Sequence, residues 1–167
     1  MSLQMDIRAS VSAPRRLGPT DRRAILNHLL RLSDGARQMR FCHVLNDDGV
    51  RAYAEQIDFE RDVCIGVFDR QENLVALVQG FTYEESGVCL MEAAFSTDEA
   101  VRRRGLGTLL FAEITDCALT AGVERVIAQC LAGNRPMRML LRAAGATCEV
   151  EDGEVVGHLD PASMVRA

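Results

Sequence analysis

The spacing of apolar residues changes along this chain, and the changes mark out its elements. Ile25, Leu29 and Leu32 share one helical face, with Thr20 as a cap and Asp21 in the first turn. Ser33-Asp34-Gly35 ends that helix, and a short helix is expected from Ala36 to about Cys42. Asn46-Asp47-Asp48-Gly49 reads as a turn and a capping site for a third helix reaching Ile57. Ahead of these, Met5 to Ser12 alternates weakly as an opening strand, and Pro14 to Pro19 breaks regularity.

The period then shortens. Val63 to Phe68 reads as a buried strand, Asp69 to Asn73 as a turn, and Leu74 to Tyr83 as a second strand. Glu84-Glu85-Ser86-Gly87 is a hairpin turn into a third strand, Val88 to Thr97. A helix from Gly105 to Ala121 follows, with Gly122 suited to its C-terminal cap. Val123 to Leu131 is another strand. Gly133-Asn134 precedes a helix with Pro136 in its first turn, closed by Gly145. Ala146 to Val150, the turn Glu151-Asp152-Gly153 and Glu154 to Leu159 form a final hairpin.

This order predicts a mixed sheet with helices on both faces. Val88 to Thr97 and Val123 to Leu131 should run parallel, joined by a right-handed crossover. Two adjacent parallel strands can splay apart at one end and leave a slot. No internal repeat and no second domain is visible, so residues 1–167 read as one domain.

Composition narrows the choice of partner. With 48% hydrophobic residues the chain can bury a sizeable core. A formal net charge of -5 argues against a surface built for nucleic acid. Six cysteines are dispersed with no Cys-x-x-Cys pair, so no zinc or other metal site is expected, and a cytoplasmic, reducing setting fits. Met1 to Asp6 has no apolar core of a signal peptide, and no apolar run approaches a membrane span.

Against that acidic background, Arg102-Arg103-Arg104-Gly105-Leu106-Gly107-Thr108 is a local positive feature. It sits where a strand turns into a helix. Unpaired N–H groups at such a helix start, with the helix dipole behind them, bind anions. Gly105 and Gly107 let a phosphate approach the backbone, and the arginines add fixed charge and bidentate donors. The glycines match neither a Rossmann fingerprint nor a P-loop.

The Arg-x-x-Gly-x-Gly pattern resembles the acyl-CoA pyrophosphate loop of the GNAT superfamily of N-acetyltransferases. Asn134-Arg135-Pro136-Met137, Leu141 and Gly145 resemble a second GNAT segment, in which Asn opens a helix and Gly ends it eleven positions later. The resemblance covers roughly residues 60 to 160. Leu32-Ser33, Arg37, Arg40-Phe41, Ile57-Asp58-Phe59-Glu60-Arg61 and Glu92 are similar to the catalytic domain of Pat-type protein-lysine acetyltransferases. Those enzymes tend to lack the late-helix Tyr of many GNAT members, and Leu141 stands there. The chain departs from the pattern at Val101 and Ala146.

The resemblance implies an α/β (α+β) fold of GNAT type: a mixed, mainly antiparallel sheet with a splayed parallel pair. It implies acetyl-CoA as co-substrate. Arg102, Arg103, Arg104, Gly105, Leu106, Gly107 and Thr108 would hold the pyrophosphate. The strand edge at Phe95, Ser96 and Thr97 would pair with the pantetheine arm, and Asn134 would touch the arm from the far side. It implies direct attack of an amine on the thioester, with a protein lysine as leading acceptor.

A protonated amine cannot attack a thioester, so a general base is needed. Glu92, in Met91-Glu92-Ala93-Ala94-Phe95, is the candidate: apolar neighbours should desolvate it partly, which suits a base. The plainer alternative is a solvated Glu or one paired with an arginine. Asp98 and Glu99 read as loop-surface acids. His28, His43 and His158 share no motif, Tyr53 and Tyr83 suit packing, and Cys130, Met137 and Met139 are expected in the core.

A small-molecule amine acetyltransferase and a non-catalytic acyl-CoA-binding domain remain the alternatives. The acceptor and the oligomeric state, a homodimer included, stay open at this level.

Overall fold

The structure is a computed structural model that describes residues 10–164. Most of the expected strand at Met5 to Ser12 lies outside those residues; within them, Val11 forms an isolated bridge with Asp69. The first strand, β1 (Arg15–Arg16), is a two-residue piece paired with β2. A 3₁₀ turn (Pro19–Asp21) precedes helix α1 (Arg22–Arg31). Thr20 therefore lies inside that turn and does not cap the helix. The reason is local: Asp21 Oδ2 accepts from the Gly18 N–H at 2.9 Å, and Pro19 presets the turn.

Ser33 does not simply end α1. It is the N-cap of α2 (Asp34–Phe41), its hydroxyl accepting from the Ala36 N–H. Asn46 caps α3 (Asp47–Glu55) in the same way through Gly49. Side-chain caps of this kind contribute about 1 kcal/mol each.

Strands β2 (Val63–Phe68), β3 (Leu74–Glu85) and β4 (Val88–Thr97) form the expected antiparallel meander. β3 runs two residues past Tyr83 because Ser86 and Gly87 both take positive φ, 53° and 79°. That is the two-residue turn whose twist matches a hairpin. Helix α4 (Leu106–Thr120) crosses over to β5 (Arg125–Leu131), which starts two residues later than expected. Helix α5 (Arg135–Ala143), strands β6 (Thr147–Glu151) and β7 (Glu154–Leu159) and the short α6 (Pro161–Met164) complete the chain.

The seven strands lie in the order β1-β2-β3-β4-β5-β7-β6. Every pairing is antiparallel except β4 with β5. One face carries α1 and α3 on Leu77 and Cys64, through Ile25, Leu29 and Val50. The other carries α4 and α5 on Val78, Met91 and Val126, through Leu110, Phe111, Ile114 and Leu141. Each fully buried Leu, Ile or Phe side chain stabilises the fold by about 1.5–3 kcal/mol. Gly80 lets α4 lie close: a Cβ there would sit 2.7 Å from Met91 Sδ and 2.9 Å from Ile114 Cδ1.

Candidate active site

The site grows from the parallel pair. Leu90, Met91 and Glu92 of β4 face Arg125, Val126 and Ile127 of β5, and the ladder stops there. Beyond it β4 continues against β3 as far as Thr97, while β5 continues against β7 as far as Leu131. The two strands part, and a slot opens between them.

The alternation of strand backbone decides what faces that slot. The Cys89 carbonyl accepts from the Glu124 N–H on the β5 side, and the Asp98 N–H donates to the Val75 carbonyl on the β3 side. Odd-numbered residues of β4 therefore turn their backbone toward β5. Past Glu92 these are Ala93, Phe95 and Thr97, which have no β5 partner. Phe95 sends its ring to the α4 face, stacked on Phe111 with centroids 5.6 Å apart. Ser96 differs: its backbone faces β3, and its hydroxyl is 2.9 Å from buried His28 Nε2. Of the strand edge singled out in the sequence, Phe95 and Thr97 look into the slot and Ser96 looks away.

At the end of β4 a 3₁₀ turn (Glu99–Val101) leads into the arginine loop. Arg103 (φ 59°) and Gly105 (φ 78°) both take the left-handed conformation, with Arg104 between them. Gly105 is the N-cap of α4, and it offers no side-chain cap. The first turn of α4 holds no acidic residue, in contrast to α2 and α3. The N–H groups of Leu106, Gly107 and Thr108 thus precede the first intrahelical bond, Leu109 N–H to Gly105 O. Arg102, Arg103 and Arg104 are exposed, and Leu106 is buried, so Leu106 can offer only its backbone. This concentration of unpaired donors and positive charge fits a pyrophosphate.

Asn134 caps α5, its Oδ1 accepting from the Met137 N–H at 3.2 Å. Leu141 points into the core at 1% exposure, against Gly157, where a Cβ would meet it at 2.8 Å. No proton donor comes from that position.

Glu92 is half-buried and shares its sheet face with Ser96, the face covered by α1 to α3. Its charge reaches two neighbours. Burial, then Glu154 and Glu92, pushes the Cys42 thiol up. Burial, then Glu92 and Glu85, pushes the Tyr83 phenol up. Cys130 is buried among core residues, as packing requires. Met137 packs against the core, but Met139 is 61% exposed and is not a core residue.

Two buried polar groupings carried no signal in the sequence, because their members lie far apart along the chain. In one, Arg40 Nη2 donates to Tyr53 Oη at 2.8 Å, Tyr53 Oη donates to Gln79 Oε1 at 2.6 Å, and Gln79 Nε2 donates to Asp62 Oδ2 at 3.3 Å. Burial pushes the Tyr53 phenol and the Asp62 carboxyl up. A cleft of about 370 Å³ opens beside it, lined by Asp58, Asp62 and Phe81 among others, and Phe81 is the register partner of Glu92. In the other, His28, Asp98 and Arg31 join α1 to the end of β4. Asp98 is thus a paired acid and not a loop-surface one. A larger hollow, about 530 Å³ between Arg125, Thr147, Glu149 and His158, lies at the opposite end of β5 from the slot.

Among the described residues there is no group of three or more His, Cys, Asp or Glu that could hold a metal, and no helix long and apolar enough to cross a membrane.

Residues 15–147 match the family model described as an acetyltransferase (GNAT) domain. The fold is similar to the GNAT domain of S. lividans PAT, with a TM-score of 0.74 and 23% identity over 88% of this chain and 89% of that one. It is similar to a spermidine N-acetyltransferase from Vibrio cholerae in complex with CoA and spermine, with a TM-score of 0.70 and 16% identity over 95% and 99% of the two chains. A GNAT-family acetyltransferase from Streptococcus pneumoniae matches with a TM-score of 0.67 and 14% identity over 89% and 96%.

Proposed function

This chain belongs to the GNAT acetyltransferase family, and on that premise we propose that it transfers an acetyl group from acetyl-CoA directly to an amine, with a protein lysine as the leading acceptor. Acetyl-CoA supplies an activated acyl thioester. The N–H groups of Leu106, Gly107 and Thr108 and the neighbouring arginines bind its pyrophosphate. The outward backbone of Phe95 and Thr97 receives the pantetheine arm as an added strand would, with the Asn134 amide on the far side. A backbone N–H of the β4 edge, past the last β5 partner, polarises the thioester carbonyl. Glu92 takes the proton from the attacking amine, directly or through a water; the C–N bond forms, the C–S bond of the thioester breaks, and CoA leaves as the thiolate, which takes up a proton to become the free thiol.

One observation carries this reading: the parallel ladder ends at Glu92 and Ile127, so Glu92 is the residue of β4 at which the slot begins. The likeness to the PAT domain supports a protein acceptor. The cleft lined by the carboxylates of Asp58 and Asp62, with Arg61 between them, leaves one net negative charge and supports the second reading, a small cationic amine, as does the likeness to a spermidine acetyltransferase.

The test is a lysate incubated with the enzyme and acetyl-CoA and read by mass spectrometry. Acetylated lysines on a few folded proteins, well above the spontaneous background, support the first reading. Rapid acetylation of a free polyamine or amino acid with no protein modified supports the second. Affinity for CoA without release of free thiol from any acceptor would make the chain a binding domain.

A further inference from the structure

His28 is fully buried yet carries two polar contacts. Its Nε2 is 2.9 Å from Ser96 Oγ and its Nδ1 is 2.9 Å from Asp98 Oδ1. The other Asp98 oxygen accepts from Arg31 Nη2 at 3.0 Å, and Arg31 also donates to the Leu74 carbonyl at 2.6 Å. Serine, histidine and aspartate in this order have the connectivity of a nucleophilic triad. Access excludes that use. His28 is 0% and Ser96 7% exposed, so no acyl group can reach the hydroxyl.

The grouping fastens instead. Ser96 and Asp98 flank Thr97, whose backbone faces the slot. Asp98 opens the turn that leads into the arginine loop. The chain of contacts continues from there. Ser33 Oγ, the cap of α2, is 3.4 Å from Glu99 Oε1, and Glu99 is 3.7 Å from Arg102 Nη1. Arg102 Nε donates back to the Thr97 carbonyl at 3.4 Å. This stretch has lost its β5 neighbour and is followed by a loop with two left-handed residues. Arg102 reaches the Thr97 carbonyl and β3 pairs with Thr97, and α1 adds the hold from behind through His28 and Arg31.

We infer that His28 is a positioning residue for acetyl-CoA: together with Asp98 and Arg31 it sets the conformation of residues 97–102, so that the β4 edge and the arginine loop meet the ligand in one arrangement. The inference rests on the acetyl-CoA reading above. A purely structural role would lower stability alone, whereas a positioning role must appear in affinity.

The experiment measures the acetyl-CoA Kd by calorimetry, beside Tm, for the parent, His28→Leu, Asp98→Asn and Ser96→Ala. Leu29→Ala is the control: Leu29 is the next residue of the same helix, fully buried and outside the His28–Asp98–Arg31 grouping. His28→Leu and Asp98→Asn should lose about tenfold or more in affinity, since small displacements of a binding constellation are costly. Leu29→Ala should lose Tm and keep the parental Kd. At saturating acetyl-CoA the amine KM should stay within about twofold throughout. Folded His28→Leu and Asp98→Asn with parental Kd would overturn the inference, and so would an equal affinity loss in Leu29→Ala. If His28→Leu does not fold, Asp98→Asn and Ser96→Ala decide alone by the same criterion. A parent that binds no acetyl-CoA removes the cofactor reading and this one with it; a parent that binds while the variants bind equally removes this one only.

Discussion

Glu92 on β4 and Ile127 on β5 are the last facing pair of the parallel ladder, and the strands part directly after them. The divergence has a structural cause. β3 holds β4 as far as Thr97 on one side, and β7 holds β5 as far as Leu131 on the other. The backbone groups of Ala93, Phe95 and Thr97 are left facing the gap, and Glu92 is the last β4 residue before it opens.

Gly107 gives a direct test of the arginine loop. A Cβ there would meet only Leu140 Cδ2, at 3.7 Å, an ordinary contact, so the fold tolerates a side chain. Gly107→Glu should therefore fold like the parent but place bulk and negative charge at the start of α4. Acetyl-CoA should raise the Tm of the parent by linkage and leave that of the variant unmoved. An equal rise in both would show that the loop does not bind the cofactor.

Asp98 sets a pH dependence. Burial pushes its carboxyl up, but hydrogen bonds and charge from His28 and Arg31 outweigh burial and hold it below the ordinary value. A carboxyl depressed in the folded state adds stability that is present above its unfolded pKa and lost as pH falls through the folded one. The denaturation midpoint of the parent should exceed that of Asp98→Asn at neutral pH, and the gap should narrow below about pH 4. A gap independent of pH would mean that the pair contributes no charge-dependent stability.

The thiols should sort by burial. Burial, then Asp62, pushes Cys64 up to about 12, with arginines opposing. Cys130 is also buried, while Cys148 is exposed. At about pH 8 a thiol reagent should label Cys148 in the folded protein and reach Cys64 and Cys130 only after unfolding, because the thiolate is the reactive form. Fast native labelling of Cys64, read by peptide mass spectrometry, would contradict the packing around β2.

Much of this was legible in the sequence because it is local. Val63–Phe68, Val88–Thr97 and Glu154–Leu159 have the expected bounds, since apolar runs and flanking turn residues set strand ends. Gly122 and Gly145 end their helices with φ of 73° and 76°. β1 was not legible: its two arginines carry no apolar signal, and Ile65 and Gly66 of β2 supply the pairing. The His28–Asp98 and Arg40–Gln79 contacts span tertiary distances that no periodicity encodes. Met139 was expected in the core by residue type, but it lies two residues from both Met137 and Leu141, off the face they share, and α5 turns it outward. In the site, the glycine loop and Glu92 were visible as residue types in order. The inward turn of Ser96 was not, because it depends on a partner in α1.

The most direct test of the account is the kcat of Glu92→Gln across pH, with its acetyl-CoA Kd. Gln keeps the shape and the hydrogen bonding but cannot accept a proton. General-base catalysis typically contributes about 10²–10⁴-fold. The account predicts a kcat lowered by at least about tenfold, a nearly unchanged acetyl-CoA affinity, and partial rescue at high pH, where the amine loses its proton unaided. A parental kcat across the pH range would remove Glu92 from the mechanism, and a lost cofactor affinity would make it a structural residue of β4.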